Sequence, residues 1–199
     1  MSPRKSVAET AATRDRIITS ALALATSEGL EGLTIGRLAT DLGMSKAGVI
    51  GHFGSKEALQ LAVLASAVER FRLRVPARAV GAEPGTRRLT RAFDEWVDYM
   101  AEAEGHGGCF LTSVATEFDG RPGPIRDAVL EALAAWSAYV RAELRTAVET
   151  GELPPDTDVD QVAFELDGVV LAANQSIQLH RDPRTPARAR RAIARLLAA

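Results

Sequence analysis

The chain of 199 residues has one cysteine, 5% aromatic residues and no long apolar run, and each scarcity closes off a class of protein. Cys109 alone cannot form an internal disulfide, which sets aside the small disulfide-stapled scaffolds. No apolar stretch approaches the roughly 18 residues that a membrane-spanning helix requires. Charged residues stand near the N-terminus where a secretory signal needs an apolar core, so the expected compartment is the cytoplasm. Bulk positive charge is missing too. With a formal net charge of -2 and an isoelectric point near 6.0, any contact with nucleic acid must be local. Strand-favouring runs of Val, Ile and Thr are short, whereas Ala, Leu, Arg and Glu abound in a composition that is 46% hydrophobic. That is enough for a core, and an all-α protein is expected.

Residues 1–13 are small and polar, carry Arg4 and Lys5, and read as an arm before ordered structure begins near Thr13. Ile17, Ile18, Ala21, Leu22 and Ala25 then recur at helical spacing, and Gly29 ends that pattern. Two short helices follow with the same opening device. In Leu33-Thr34 leading to Leu38, and in Met44-Ser45 leading to Val49, a hydroxyl can cap free backbone amides while the preceding apolar residue staples onto one five positions later. Gly43 lies between them, where a sharp turn can require positive φ. Two short helices around a glycine-containing turn make a helix-turn-helix, here at residues 34–53. Another helix opens at Ser55, with Glu57 in its first turn, and runs through Leu59, Val63, Ala67 and Phe71 towards Pro76.

Residues 77–85 are rich in Ala, Gly and Pro, which places a domain boundary at about residues 74–86. The expected organisation is an arm and helix-turn-helix over residues 1–54, a connecting helix over 55–76, and a helical ligand-binding and dimerisation domain over 77–199. Within that domain three apolar stripes are separated by Gly- and Pro-rich breakers: Leu89, Phe93, Trp96, Val97 and Met100; Phe110, Leu111, Val114 and Phe118; Val129, Leu130, Leu133, Trp136, Val140, Leu144 and Val148. Residues 159–179 are apolar almost all round, the pattern of a helix buried on more than one side, and a last helix is expected over 185–197.

The stretch from Leu33 through Gly36-Arg37-Leu38-Ala39, Leu42-Gly43-Met44-Ser45, His52-Phe53 and Ser55-Lys56-Glu57-Ala58-Leu59 resembles the DNA-binding domain of TetR-type (TetR/AcrR) transcriptional regulators. The resemblance covers residues 14–64 and implies a homodimeric, ligand-responsive regulator, a repressor of a palindromic operator. A recognition helix presents its N-terminal residues to the major groove, which singles out Ser45, Lys46, Ala47, Gly48, Gly51 and His52, with Val49 and Phe53 facing the core. Glycine within a helix costs roughly 1 kcal/mol relative to Ala, so Gly48 and Gly51 need a reason: close approach to DNA or tight packing. Lys46 and Lys56 are candidate phosphate contacts, Lys56 also being readable as an ordinary solvated charge. Thr34 and Arg37 lie where family members touch DNA, although capping alone also accounts for Thr34. At Ile50 the family usually has Tyr, whose hydroxyl reaches a phosphate; Ile cannot supply that bond.

In the family the last two helices pair across a two-fold axis, and here these are residues 158–181 and 185–197. The side chains expected to border an effector pocket are Trp96, Tyr99, Met100, Phe110, Val114, Phe118, Trp136, Tyr139, Phe164 and Asn174, each aromatic being equally readable as core. Asn174 needs a partner inside an apolar helix, which could be a ligand, a neighbouring helix or a dimer mate. Cys109 reads either as a sensor thiol or as a small buried residue. His106 and Cys109 lack a further ligand set, so no metal and no cofactor are expected. The sequence has no phosphate-cradling loop and no nucleophile spaced with a base, so an enzyme is not expected. The remaining rival is a helical binding module that no longer recognises DNA. A spacing of about 34–36 Å between paired recognition helices fits successive major grooves, and effector binding is expected to shift the helix over residues 55–71 and change that separation.

Overall fold

A computed structural model describes residues 7–102 and 108–198, and among them all regular structure is helical. In chain order the helices are α1 (Val7–Glu28), α2 (Ile35–Asp41), α3 (Lys46–Ile50), α4 (Lys56–Arg74), α5 (Pro76–Ala79), α6 (Thr86–Glu102), α7 (Phe110–Phe118), α8 (Pro124–Glu149), α9 (Val159–Gln175) and α10 (Thr185–Leu196), with a π-helical turn, Ser176–His180, after α9. None of them is long and apolar enough to cross a membrane.

The chain divides by contact into two compact units. The first takes the described residues up to Val68 together with Ser113–Val129. Its core is built by Ile17, Ala21 and Leu22 of α1, Leu30 and Leu33 of the following turn, Leu38 of α2, Val49 of α3 and Leu59, Val63 and Leu64 of α4, all buried. Full burial of each large aliphatic side chain contributes roughly 1.5–3 kcal/mol. The first six residues of the expected arm lie outside the described residues, but residues 7–13 are helical, so ordered structure begins earlier than Thr13. Val7 is 89% exposed, so no apolar periodicity announces this turn. Ala-rich propensity and Glu9 near the positive end of the helix favour it instead.

The second unit takes the described residues of Glu69–Thr112 and Leu130–Ala199. Leu89, Phe93, Val97 and Met100 of α6, Leu144 of α8, Leu166 and Val170 of α9 and Ile193 of α10 form its core. Buried acids hold its loops: Glu143 accepts from the Gly85 amide at 2.8 Å and faces Arg88 at 3.1 Å. The stretch read as a boundary holds a short helix, α5, because Pro76 at the first position pre-sets the helical φ and Ala79 packs inside. On α8 the apolar stripe is narrower than its sequence suggests, since Leu130 and Leu133 are exposed beside buried Trp136, Val140 and Leu144. The long penultimate helix is regular only to Gln175; the π-helical turn then carries it to Arg181, where left-handed backbone ends it.

Candidate functional site

Both caps form in the first unit. Thr34 Oγ1 accepts from the Arg37 amide at 3.3 Å, and Ser45 Oγ accepts from the Gly48 amide at 3.0 Å, each from an extended cap residue. Gly43 sits between them at φ +63°, a conformation unfavourable for residues with a Cβ. Leu33, Leu38 and Val49 are fully buried, so the staples fix the angle at which α2 and α3 enter. With Val49 turned inward, α3 and its flanks leave Ser45, Lys46, Ala47 and Gly51 exposed and Gly48, Ile50 and His52 half-exposed. Of residues 45–52, only Val49 is buried, and the other seven remain accessible.

Several side chains have partners that the sequence did not disclose. Lys46 lies along α2, where a Cβ on Gly36 would stand 3.1 Å from its Cε. Arg37 pairs with Asp41 at 3.1 Å and Glu28 at 3.6 Å on the exposed surface, contacts that typically contribute less than about 1 kcal/mol. Lys56 Nζ donates to the Glu31 carbonyl at 2.7 Å, so in this structure it ties α4 to the turn after α1. A Cβ on Gly48 would stand 3.1 Å from Ser45 Oγ, which makes room for the cap a reason for glycine there. Phe53, expected in the core, is only half-buried; the Arg14 guanidinium lies 4.9 Å from its ring centroid, which lets that face remain at the surface.

Glu117 of α7 is a structural determinant of this unit that sequence reasoning missed. Its two carboxylate oxygens accept from the amides of Leu30 and Glu31, at 2.9 and 2.8 Å. Gln60 of α4 donates to the Leu30 carbonyl at 2.8 Å. The turn between α1 and α2 is thus held by side chains 25 to 87 residues away. No local motif marks such a contact; only a lone charged residue on an otherwise uncharged helix hints at it.

In the second unit Trp96, Trp136 and Tyr139 come together with Phe71 and Phe93. Ring centroids are 4.9 Å apart for Trp96 and Trp136, 5.0 Å for Phe71 and Trp96, and 5.5 Å for Trp136 and Tyr139. Tyr99 joins through Phe71 at 6.2 Å. Burial, with the Glu143 charge second, pushes the Tyr139 phenol up to about 12. Burial likewise raises the Asp167 carboxyl, partly countered by the Trp136 indole beside it.

The other expected pocket residues are placed differently. Met100 and Phe110 are buried in the second unit, whereas Val114 and Phe118 are buried in the first. Phe164 stands apart: it is 73% exposed because α9 turns Ala163 and Leu166 inward instead. Asn174 is buried, and its Oδ1 accepts from the Cys109 amide at 2.6 Å, which identifies a neighbouring loop as one partner. Gly108 at φ +116° packs there too; a Cβ on it would meet Gln178 and Asn174. Cys109 is buried. Gly105, His106 and Gly107 lie outside the described residues, among which no cluster of His, Cys, Asp and Glu could hold a metal.

An all-helical chain with a capped helix-turn-helix, followed by a separate helical unit with an aromatic interior, defines a helix-turn-helix transcriptional regulator. Residues 17–63 match the family model described as bacterial regulatory proteins, tetR family, and residues 85–193 match the tetracyclin repressor-like C-terminal domain. The chain belongs to the TetR family. It is 29% identical over 158 residues to the HTH-type transcriptional regulator SrpR of Pseudomonas putida, covering 78% of this chain and 70% of that protein. Among solved structures it is similar to a TetR transcriptional regulator from Chloroflexus aurantiacus, with a TM-score of 0.84, 26% identity and coverage of 96% and 95% of the two chains. It shares its fold with AibR, solved with isovaleryl coenzyme A and operator DNA, at a TM-score of 0.75, 20% identity and coverage of 93% and 98%.

Proposed function

We propose that this TetR-family transcriptional regulator is a repressor that binds a palindromic operator as a homodimer and is released by a small-molecule effector. The observation that carries the reading is the surface formed by Ser45, Lys46, Ala47, Gly48, Ile50, Gly51 and His52, supported from behind by Val49 and two side-chain caps. Such a surface suits the major groove, with Thr34, Arg37 and Lys56 at its margin. Lys46, exposed on this surface and lying beside α2, supplies the phosphate contact, a local charge in a chain with net charge -2.

A single recognition helix offers too few contacts for specific binding, and the symmetric answer is a dimer. Its support is the exposed stripe of Phe164, Gly168 and Leu171 on α9, beside a shallow groove lined by Val169, Ala172, Ala192 and Leu196. The effector reading is supported by the aromatic group of the second unit and by AibR, a protein of the same fold solved with both a small molecule and operator DNA. Release requires only a coupling free energy of about 1–3 kcal/mol between the two ligands.

The test is a titration of the full chain against DNA from around its own gene, followed by small-molecule release. A saturable, salt-sensitive shift is expected. Lys46→Ala removes one phosphate contact from each protomer and is expected to lower affinity and reduce the slope against log salt by about 2. Equal binding to unrelated DNA, or the absence of any shift, would sink the operator reading and favour a module that binds ligand only.

A further inference from the structure

The aromatic group has a property that a well-packed core avoids. Among the described residues, Nε1 of Trp96, Nε1 of Trp136 and the hydroxyl of Tyr139 are buried without a hydrogen-bond partner. Asp167 lies close enough to favour its charged form through the Trp136 indole, yet that contact does not complete a hydrogen bond. Both indoles can only donate, and the phenol donates while it stays protonated. Buried donors are nearly always paired, so three unpaired ones in a single contiguous group are a constellation that acceptor oxygens would complete.

The surrounding charges narrow the choice. Arg88 is engaged by Glu143, Arg78 and Arg91 by Glu95, and Arg141 by Asp160. None of these cations is left over for a ligand carboxylate or phosphate, while Glu143 and Asp167 would repel one. A saturated alkyl ligand would leave the donors unpaired and forgo stacking on the rings. We propose that this group binds a neutral, planar, conjugated molecule whose carbonyl or ether oxygens accept from Trp96, Trp136 and Tyr139 and whose faces lie on the surrounding rings. The proposal rests on the reading that the second unit holds the effector, and it names that effector's class.

The two tryptophans of the group are the only two in the chain, so intrinsic fluorescence reads the site directly. The full protein is titrated with flavone and 9-fluorenone, with their acceptor-free counterparts 2-phenylnaphthalene and fluorene, and with isovaleryl coenzyme A as an anionic acyl comparator. At least one ketone is expected to quench saturably and to bind about tenfold more tightly than its hydrocarbon. Tyr139→Phe and Trp96→Phe are each expected to weaken that ketone several-fold while leaving the hydrocarbon unchanged. No saturable quenching by either ketone, or equal affinity for its hydrocarbon, overturns the proposal. A second readout needs no ligand: Tyr139→Phe removes an unpaired hydroxyl, so its melting temperature is expected to equal or exceed that of the parent, and a clear fall overturns the assignment. Operator binding keeps the two readings apart. A ketone that binds without releasing DNA leaves this site standing and defeats the effector role; release by isovaleryl coenzyme A with no ketone bound does the reverse.

Discussion

The turn and caps of the helix-turn-helix have their hydrogen-bonding groups matched within the fold, whereas the aromatic group of the second unit keeps three buried donors unmatched. The two regions answer different demands. A surface that must fit a regular groove has to be rigid before it meets DNA, and Ser45, Thr34, Gln60 and Glu117 supply that rigidity from behind. A site that distinguishes small molecules gains selectivity from polar groups which only the right ligand satisfies, because the wrong one leaves them buried and unpaired. Substitutions in each region test the contrast.

The largest effect is expected for Leu38→Ala, which empties a fully buried position under both short helices. It should destabilise the protein by about 3 kcal/mol in chemical denaturation. A change near zero would mean that the core beneath the recognition surface is loose. Next comes Glu117→Ala, which removes a charged acceptor from two amides at once and should cost about 2–3 kcal/mol, with Glu117→Gln costing less. Operator affinity should fall alongside stability, and unchanged affinity would show that the turn after α1 is not needed to present α3. Ser45→Ala should cost about 1 kcal/mol by loss of its cap, measured in the same way.

The smallest effect belongs to the second region and is read by pH. The Tyr139 phenol ionises at about 12 in the folded chain, above its ordinary value of 10.0, because burial disfavours the charged form. The folded state therefore prefers the proton: this contribution is fully present below pH 10 and is lost as pH rises towards about 12. Tyr139→Phe should remove that part of the alkaline decline in melting temperature. A parent and variant that decline in parallel above pH 10 would show that the phenol is solvated, and the contrast between the regions would weaken.

Legibility followed distance along the chain. The caps at Thr34 and Ser45, the turn at Gly43 and the staples onto Leu38 and Val49 each depend on groups within five residues, so local chemistry specifies them. The meeting of Trp96, Trp136 and Tyr139 was half legible: helical periodicity marked the two tryptophans as inward-facing and Tyr139 was named for its bulk and polar tip, but neither signal could say that the three share one cluster. Phe164 misled because an apolar run conceals which side of a helix faces the core, and α9 buries Ala163, Leu166 and Val170 instead.

Residue order alone was enough for the helical class, the helix-turn-helix and its exposed surface, since these follow from side chains acting on their own backbone. Tertiary structure decided that Glu117 holds the turn at Leu30 and Glu31, that Asn174 holds the Cys109 amide, and that three donors are buried without acceptors. Those outcomes join or isolate groups far apart in the chain, and a hydrogen bond across such a separation depends on where whole helices pack rather than on any neighbour in sequence.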